Sequence, residues 1–113
     1  MMMASRDTRI VIVTCAGLGE ARRIGRAVVE KRLAACANIL RVPVESVYWW
    51  KGKVEKAREV MVLLKTTAER LKKLETEVKR LHSYDVPEFV ALPVVAGSRE
   101  YLRWVRGNVK EVQ

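Results

Sequence analysis

The sequence predicts a single α+β domain in which one antiparallel sheet carries two helices, in the chain order β-α-β-β-α-β followed by a short C-terminal helix. Three observations support this prediction. Apolar β-branched runs and helical apolar stripes occur in that order. The prolines within strands fall only on strands two and four, and a capping signal precedes the second helix. The 113 residues suffice for one domain that buries roughly two thirds of its unfolded surface.

The first half of the chain predicts a strand, a helix and a long hairpin. Residues 9–15 form a β-branched run, and residues 20–32 carry apolar side chains at helical spacing. Residues 36–50 are rich in β-branched and aromatic side chains and predict a long second strand. Gly52 then turns the chain into a third strand near residues 54–66.

The second half of the chain predicts a helix, a strand and the final helix. Thr66 and Glu69 have the spacing of a capping box, and behind them leucine and valine recur every three or four residues. An apolar strand follows at residues 89–95. Ser98 is predicted to cap the last helix and Gly107 to end it.

This order of elements is the ferredoxin-like split β-α-β-β-α-β arrangement, whose antiparallel sheet has the strand order 4-1-3-2. Strands two and four are then the sheet edges. They carry Pro43 and Pro93, whose missing backbone N–H does least harm at an edge. The domain is expected to span residues 9–108, with short tails at residues 1–8 and 109–113.

The strands are apolar on both faces, although helices can cover only one face of such a sheet. Residues 10–13 and 60–64 are apolar at odd and even positions alike, and Trp49 must point opposite to Tyr48 and Trp50. Each large apolar side chain gains roughly 1.5–3 kcal/mol on burial, and the C-terminal helix is too short to cover a four-stranded sheet. The second face is therefore expected to pack against another copy of the chain.

The composition restricts the function classes. The formal net charge of +9 permits attraction to nucleic acid, but the basic residues form no polybasic block or glycine-rich phosphate loop, so nucleic-acid binding is not expected. No membrane span and no signal peptide are predicted.

The cysteines and the amide content indicate the environment of the protein. Cys15 and Cys36 lack disulfide or CxxC spacing, which indicates a reduced, cytoplasmic protein. Few Gln and Asn beside abundant Lys, Arg and Glu are typical of proteins from hot environments.

Residues 82–88 (HSYDVPE) join the second helix to the last strand and hold the only histidine. The predicted topology places Cys15, which ends strand one, at the same end of the domain as His82 and Glu88, whereas Cys36 lies roughly 15–20 Å away. Thiolate and imidazole suit copper or zinc, so Cys15 and His82 are candidate metal ligands. The alternative is a buried thiol and a histidine that ends a helix. No nucleophile is indicated beside His82, so no enzyme activity is expected.

A second candidate set lies along the long hairpin and in the loop at residues 82–88. Polar groups that flank an apolar strand must find partners if they are buried. One interpretation is hydrogen bonding and ion pairing between subunits, and the other is a cleft between subunits that binds a small ligand or cation. The set comprises Tyr48, Trp50, Glu59, Lys65, Tyr84 and Glu88.

The chain resembles the CutA family of divalent-cation tolerance proteins over about residues 9–108. The resemblance is carried by RLAACANI (32–39), SVYWWKG (46–52), EVMVLLKTT (59–67), HSYDVPE (82–88) and YLRW (101–104). It implies a cytoplasmic homotrimer of ferredoxin-like subunits, similar in architecture to the PII signalling proteins, with a link to copper and other divalent cations. No settled catalytic activity comes with the family.

The resemblance also bears on the metal ligands. Family members with copper at this end use a cysteine that closes strand one, a role for which Cys15 and Thr14 align equally well. His82 matches one family histidine, while Leu81 stands where some members have a second and Ser83 where the family usually has proline. We therefore expect a non-enzymatic homotrimer that binds copper or another divalent cation near its intersubunit surfaces, with no obligatory cofactor. The alternatives are a PII-like sensor of a small metabolite and, less favoured, a nucleic-acid-binding domain.

Overall fold

The computed structural model describes residues 1–110, so residues 111–113 of the expected C-terminal tail lie outside the described part. The fold is mixed α+β with antiparallel sheets and three helices, which confirms the predicted class. The strands are β1 (Met2–Ala4), β2 (Thr8–Cys15), β3 (Cys36–Ile39), β4 (Val44–Trp50), β5 (Lys53–Thr67), β6 (Val90–Pro93) and β7 (Ala96–Ser98). The helices are α1 (Leu18–Glu30), α2 (Leu71–Leu81) and α3 (Arg99–Asn108).

The main sheet has the strand order β3-β5-β2-β6, and every pair of neighbours is antiparallel. The 15-residue strand β5 organises it, because its second half pairs with β2 and β3 while its first half pairs with β4. The predicted second strand is thus two strands, separated around Pro43. When β3 and β4 are counted together, the observed neighbours are those that the sequence predicted.

The strands β4 and β5 form a two-stranded ribbon that ends in a tight turn at Lys51 and Gly52. Both residues have positive φ, 50° and 80°. Two-residue hairpin loops favour this left-handed conformation because its twist matches that of the flanking strands, and glycine adopts it without a steric penalty. The predicted turn at Gly52 is confirmed.

The hydrophobic core lies between the sheet and the helices α1 and α2. Val11, Val62 and Leu64 on the sheet are fully buried, as are Ile24 on α1 and Leu74 on α2. These helical positions follow the apolar stripes that predicted the helices. The burial of alternate residues along β5 identifies which of its two apolar faces meets the helices.

The opposite face of the sheet, called here the outer face, is also apolar. Ile12 and Leu63 face each other across β2 and β5 on this side and are only partly buried. Val90 and Leu92 on β6 are 46% and 44% exposed. Helix α3 approaches this face only at one end, where the ring of Tyr101 lies 5.8 Å from the Lys65 ammonium group. Apolar side chains therefore remain open to solvent on the outer face of a single subunit.

Local predictions at the chain ends and helix starts need correction. Residues 1–8, expected to be a tail, contain β1, which pairs with β7. The predicted capping box was wrong, because Thr66 still belongs to β5 and its hydroxyl donates to the backbone oxygen of Leu33 at 2.7 Å.

The predictions for α3 are confirmed at its start. Ser98 caps α3 as predicted, accepting from the backbone N–H of Tyr101. Gly107 does not end α3, which continues to Asn108.

Glu77 on α2 connects the two core helices. Its carboxylate accepts hydrogen bonds from Arg80 at 2.7 Å and from Lys31, just after α1, at 2.6 Å. These two donors lower the pKa of Glu77 from about 4.5 to about 2. The protonated form is therefore disfavoured in the folded state relative to the unfolded chain.

We expect acid to weaken the fold through Glu77. Because its folded pKa is depressed, this contribution is complete above about pH 4.5 and is lost as the pH falls towards 2. The cationic partners are about half exposed, so the loss should be about 1–2 kcal/mol. Urea unfolding between pH 2 and pH 6 measures it, with Glu77→Gln as the comparison. An equally steep acid loss in Glu77→Gln would contradict this assignment.

Candidate functional site

One end of the subunit brings together the end of β2, the start of α1 and the loop at residues 82–88. Cys15 closes β2 and is fully buried. Burial raises the pKa of its thiol to about 12, and the nearby carboxyl groups of Glu20 and Glu59 act in the same direction. In this arrangement Cys15 is a protonated thiol rather than a reactive thiolate.

The imidazole of His82 is held between β2 and its own loop. Its Nε2 lies 2.7 Å from the backbone oxygen of Thr14, and its Nδ1 lies 3.1 Å from the backbone nitrogen of Tyr84. A carbonyl oxygen only accepts, so Nε2 donates the proton and Nδ1 accepts from the Tyr84 N–H. The histidine thereby fixes the entry of the loop against the end of the sheet.

Glu20, in the first turn of α1, completes this group. Its carboxylate accepts from the backbone N–H of Ser83 at 3.1 Å and of Ala16 at 3.4 Å, and it lies 3.7 Å from His82 Nδ1. Partial burial disfavours the charged form, but the hydrogen bonds from Ser83 and Ala16 outweigh it and lower the pKa of Glu20.

The ligand atoms of Cys15, Glu20 and His82 all lie within 4.8 Å of one another. Among residues 1–110, one group of three potential metal ligands lies this close together. It is called here the Cys–Glu–His cluster. The structure thus brings the two predicted ligands, Cys15 and His82, together. Sequence reasoning missed Glu20, although its place in the turn after strand one puts it at the same end.

A cleft of about 550 Å³ opens beside the cluster, between the β4–β5 ribbon and the loop at residues 82–88. Five of the six residues predicted for a ligand cleft line it. Sequence reasoning did not assign the other five lining residues, among them the carboxyl group of Asp85, to a cleft. The lining consists of Thr14, Ser46, Val47, Tyr48, Trp50, Glu59, Tyr84, Asp85, Val86 and Glu88.

Lys65, the sixth predicted residue, lies elsewhere. It is six positions along β5 from Glu59, and its ammonium group donates to the side-chain oxygen of Asn38 at 2.6 Å. Cys36 lies directly across from Lys65 on β3, while Cys15 pairs with Val60. The two cysteines are therefore about five residues apart along β5, roughly 17 Å, as the topology predicted.

The floor of the cleft is a pair of hydrogen-bonded side chains. The hydroxyl group of Tyr84 donates to Glu59 Oε2 at 2.9 Å, and Glu59 is only 7% exposed. Burial raises the pKa of Tyr84, and the adjacent Glu59 carboxyl group adds to this. The phenol therefore stays protonated and remains a donor to Glu59.

Replacing Tyr84 by phenylalanine should lower the free energy of unfolding by about 1–2 kcal/mol, because the buried Glu59 loses its hydrogen-bond donor. Urea unfolding measures the loss. The control is Tyr101→Phe, which changes an exposed tyrosine and should stay within about 0.5 kcal/mol of the unmodified chain. Equal stabilities for the two variants would contradict a structural role of the Tyr84–Glu59 hydrogen bond.

Among residues 1–110, no helix is both long enough and apolar enough to cross a membrane. The chain is thus defined by a mixed α+β fold, a cluster of sulfur, nitrogen and oxygen ligands at one end, and an adjoining cleft rich in carboxyl groups. These features place it in the class of small α+β domains with a candidate cation site.

A family model described as CutA1 divalent ion tolerance protein matches residues 9–108, and the chain belongs to this family. It is 49% identical over 100 residues to the divalent-cation tolerance protein CutA of Thermus thermophilus, covering 88% of this chain and 95% of that protein. A solved structure of the Thermus thermophilus protein superposes with a TM-score of 0.89 at 46% identity, covering 91% and 99% of the two chains. A solved Archaeoglobus fulgidus protein, described as the periplasmic divalent cation tolerance protein CutA, gives 0.87 at 39% identity, covering 91% and 99%.

Proposed function

We propose that the chain is a non-enzymatic, divalent-cation-binding homotrimer that takes up copper or a similar ion at the Cys–Glu–His cluster, close to the surfaces where subunits meet. The observation that carries this proposal is the spacing of the three ligand atoms, all within 4.8 Å of one another. Sulfur, imidazole nitrogen and carboxylate oxygen together suit Cu²⁺ or Zn²⁺ better than Mg²⁺ or Ca²⁺.

Binding at this cluster has a chemical cost that predicts its pH dependence. A metal ion replaces the proton on Cys15, whose pKa is raised to about 12, and it competes with a hydrogen bond of His82. Metal uptake at the cluster therefore releases a proton, and the affinity should rise with pH. A fourth ligand can come from water or from another subunit.

Self-association is supported by the apolar surface of the single subunit. The outer face exposes Val90 and Leu92, and the far side of the ribbon exposes Trp49 and Val54 directly opposite each other. A lone subunit would leave these side chains in water, and packing against copies of the same surface removes them from it. The number three follows from the family resemblance.

A cytoplasmic location is part of the same proposal. Both cysteines are free thiols, as expected in a reducing compartment. The description of the Archaeoglobus fulgidus protein as periplasmic applies to that protein. Localisation of the tagged chain in its host cell by fractionation tests this part of the proposal.

Metal titration tests the cation site directly. Calorimetry with Cu²⁺ and with Zn²⁺ should show saturable binding that weakens about tenfold or more in Cys15→Ser and in Glu20→Gln. The control is Cys36→Ser, which removes the other thiol about 17 Å away and should leave binding unchanged. If Cys36→Ser and Cys15→Ser bind alike, or if no metal binds, the cluster is not the site. Native mass measurement in the same samples tests the trimer.

A PII-like sensor of a small metabolite is the second candidate function, and the 550 Å³ cleft is the observation that favours it. Pockets of this size bind small organic molecules. Saturable binding of a metabolite that is unaffected by Cys15→Ser, together with no metal binding, would favour the sensor over the metal protein.

A further inference from the structure

The cleft differs sharply in charge from the rest of the chain. Three carboxyl groups line it, those of Glu59, Asp85 and Glu88, and no lysine, arginine or histidine among residues 1–110 does. The chain as a whole has a formal net charge of +9. A concave site lined by one sign of charge raises the local concentration of the opposite sign, so this cleft attracts cations and repels anionic metabolites.

Glu59 is the most deeply buried of the three carboxyl groups that line the cleft. It is more than nine-tenths buried, and one of its oxygens accepts from Tyr84. Its carboxyl group also lines the cleft. Buried carboxyl groups are normally satisfied by hydrogen bonds or by a cationic partner. A cationic donor that enters the cleft can therefore bond to this carboxyl group.

The walls of the cleft are aromatic. Tyr48 and Trp50 project from the same face of β4 into it, and both are partly exposed. The ammonium group of Lys51 already lies 5.8 Å from the centroid of the Trp50 ring, near the outer limit of a cation–π contact. Aromatic faces with nearby carboxylates are the combination that recognises organic ammonium groups.

The dispersed carboxyl groups do not suit a bare metal ion. In the described residues, only the Cys–Glu–His cluster has three ligand atoms within 4.8 Å of one another, and none of its members is Glu59, Asp85 or Glu88. A cleft of about 550 Å³ is also far larger than an ion needs. We infer that the cleft binds a small organic ammonium cation between Tyr48 and Trp50, with its N–H groups donated to Glu59 and the loop carboxyl groups.

Titration with 1,4-diaminobutane tests this inference on the full-length chain, with EDTA present to remove metal ions. Saturable binding is expected by calorimetry and by a change in tryptophan fluorescence, and it should weaken as salt is added. Succinate, which has a similar length and the opposite charge, should not bind. Glu59→Gln and Trp50→Ala should each weaken binding by about tenfold.

Matched control variants separate the cleft from general effects of charge and aromatic loss. Trp104→Ala removes a tryptophan of similar exposure on α3, and Glu100→Gln removes one negative charge from the start of the same helix. Both should bind 1,4-diaminobutane like the unmodified chain. Succinate binding, no binding of the diamine at millimolar concentration, or equal weakening in these controls would overturn the inference.

The inference goes beyond the metal proposal and is tested independently of it. Cys15→Ser should weaken metal binding and keep diamine binding. Glu59→Gln should weaken diamine binding and keep metal binding. Loss of both activities in Cys15→Ser would overturn the assignment of separate sites. Unchanged metal binding in Cys15→Ser would overturn the metal proposal alone.

Discussion

Lysine at position 62 is expected to prevent the subunit from folding, whereas lysine at position 63 should leave the fold intact and disrupt the assembly. Val62 is fully buried in the core beneath α1 and α2. An unpaired ammonium group there costs several kcal/mol, roughly the whole stability of a domain of this size. Leu63 points to the outer face and is only partly buried, so a lysine at that position can reach water in an isolated subunit.

Circular dichroism and analytical ultracentrifugation distinguish the two outcomes. Val62→Lys should lack helical signal and a cooperative urea transition. Leu63→Lys should keep both and sediment as a smaller species than the unmodified chain. Each variant is the control for the other, because both add the same charge at adjacent positions of β5. A folded Val62→Lys, or a Leu63→Lys of unchanged mass, would contradict the assignment of the two faces.

Val62 and Leu63 also show how far the fold could be predicted from the sequence. The order of elements, the pairing of β5 with its neighbours and the turn at Gly52 followed from periodicity and turn chemistry. The helix-facing side of β5 could not be assigned in this way, since both of its faces are apolar and an alternation argument needs one polar face. Only the packing of Ile24 and Leu74 against Val62 and Leu64 identifies it.

The candidate site was predictable where topology alone placed its residues. Cys15 and His82 were expected at one end because strand one and the second helix end there. Glu20 was missed, because an acidic residue in the first turn of a helix has an ordinary explanation in the helix dipole. Lys65 was assigned to the cleft only because it flanks the same apolar run as Glu59. The two are six positions apart on the same strand, which puts them about 20 Å apart along β5.

His82→Ala is expected to lower the free energy of unfolding by about 2–4 kcal/mol, even without any metal. The imidazole is buried, and its removal leaves the backbone oxygen of Thr14 without its donor and the N–H of Tyr84 without its acceptor. A void also remains at the end of the sheet. Urea unfolding in EDTA measures the loss, and hydrogen exchange at the Tyr84 amide should become faster.

Two further substitutions separate these contributions. Asn at position 82 can offer an acceptor near the place of Nδ1, and Gln can offer a donor near the place of Nε2, so each should recover part of the stability. An unfolding free energy for His82→Ala within about 0.5 kcal/mol of the unmodified chain would show that the histidine does not hold the loop.

The same stability loss affects how metal binding by His82→Ala is interpreted. If the large loss is found, weak metal binding by His82→Ala can arise from a disordered loop as well as from a missing ligand. Cys15→Ser and Glu20→Gln are then the variants that decide whether the cluster binds metal. Neither breaks the hydrogen bond that His82 donates to Thr14 or the one that it accepts from the Tyr84 N–H.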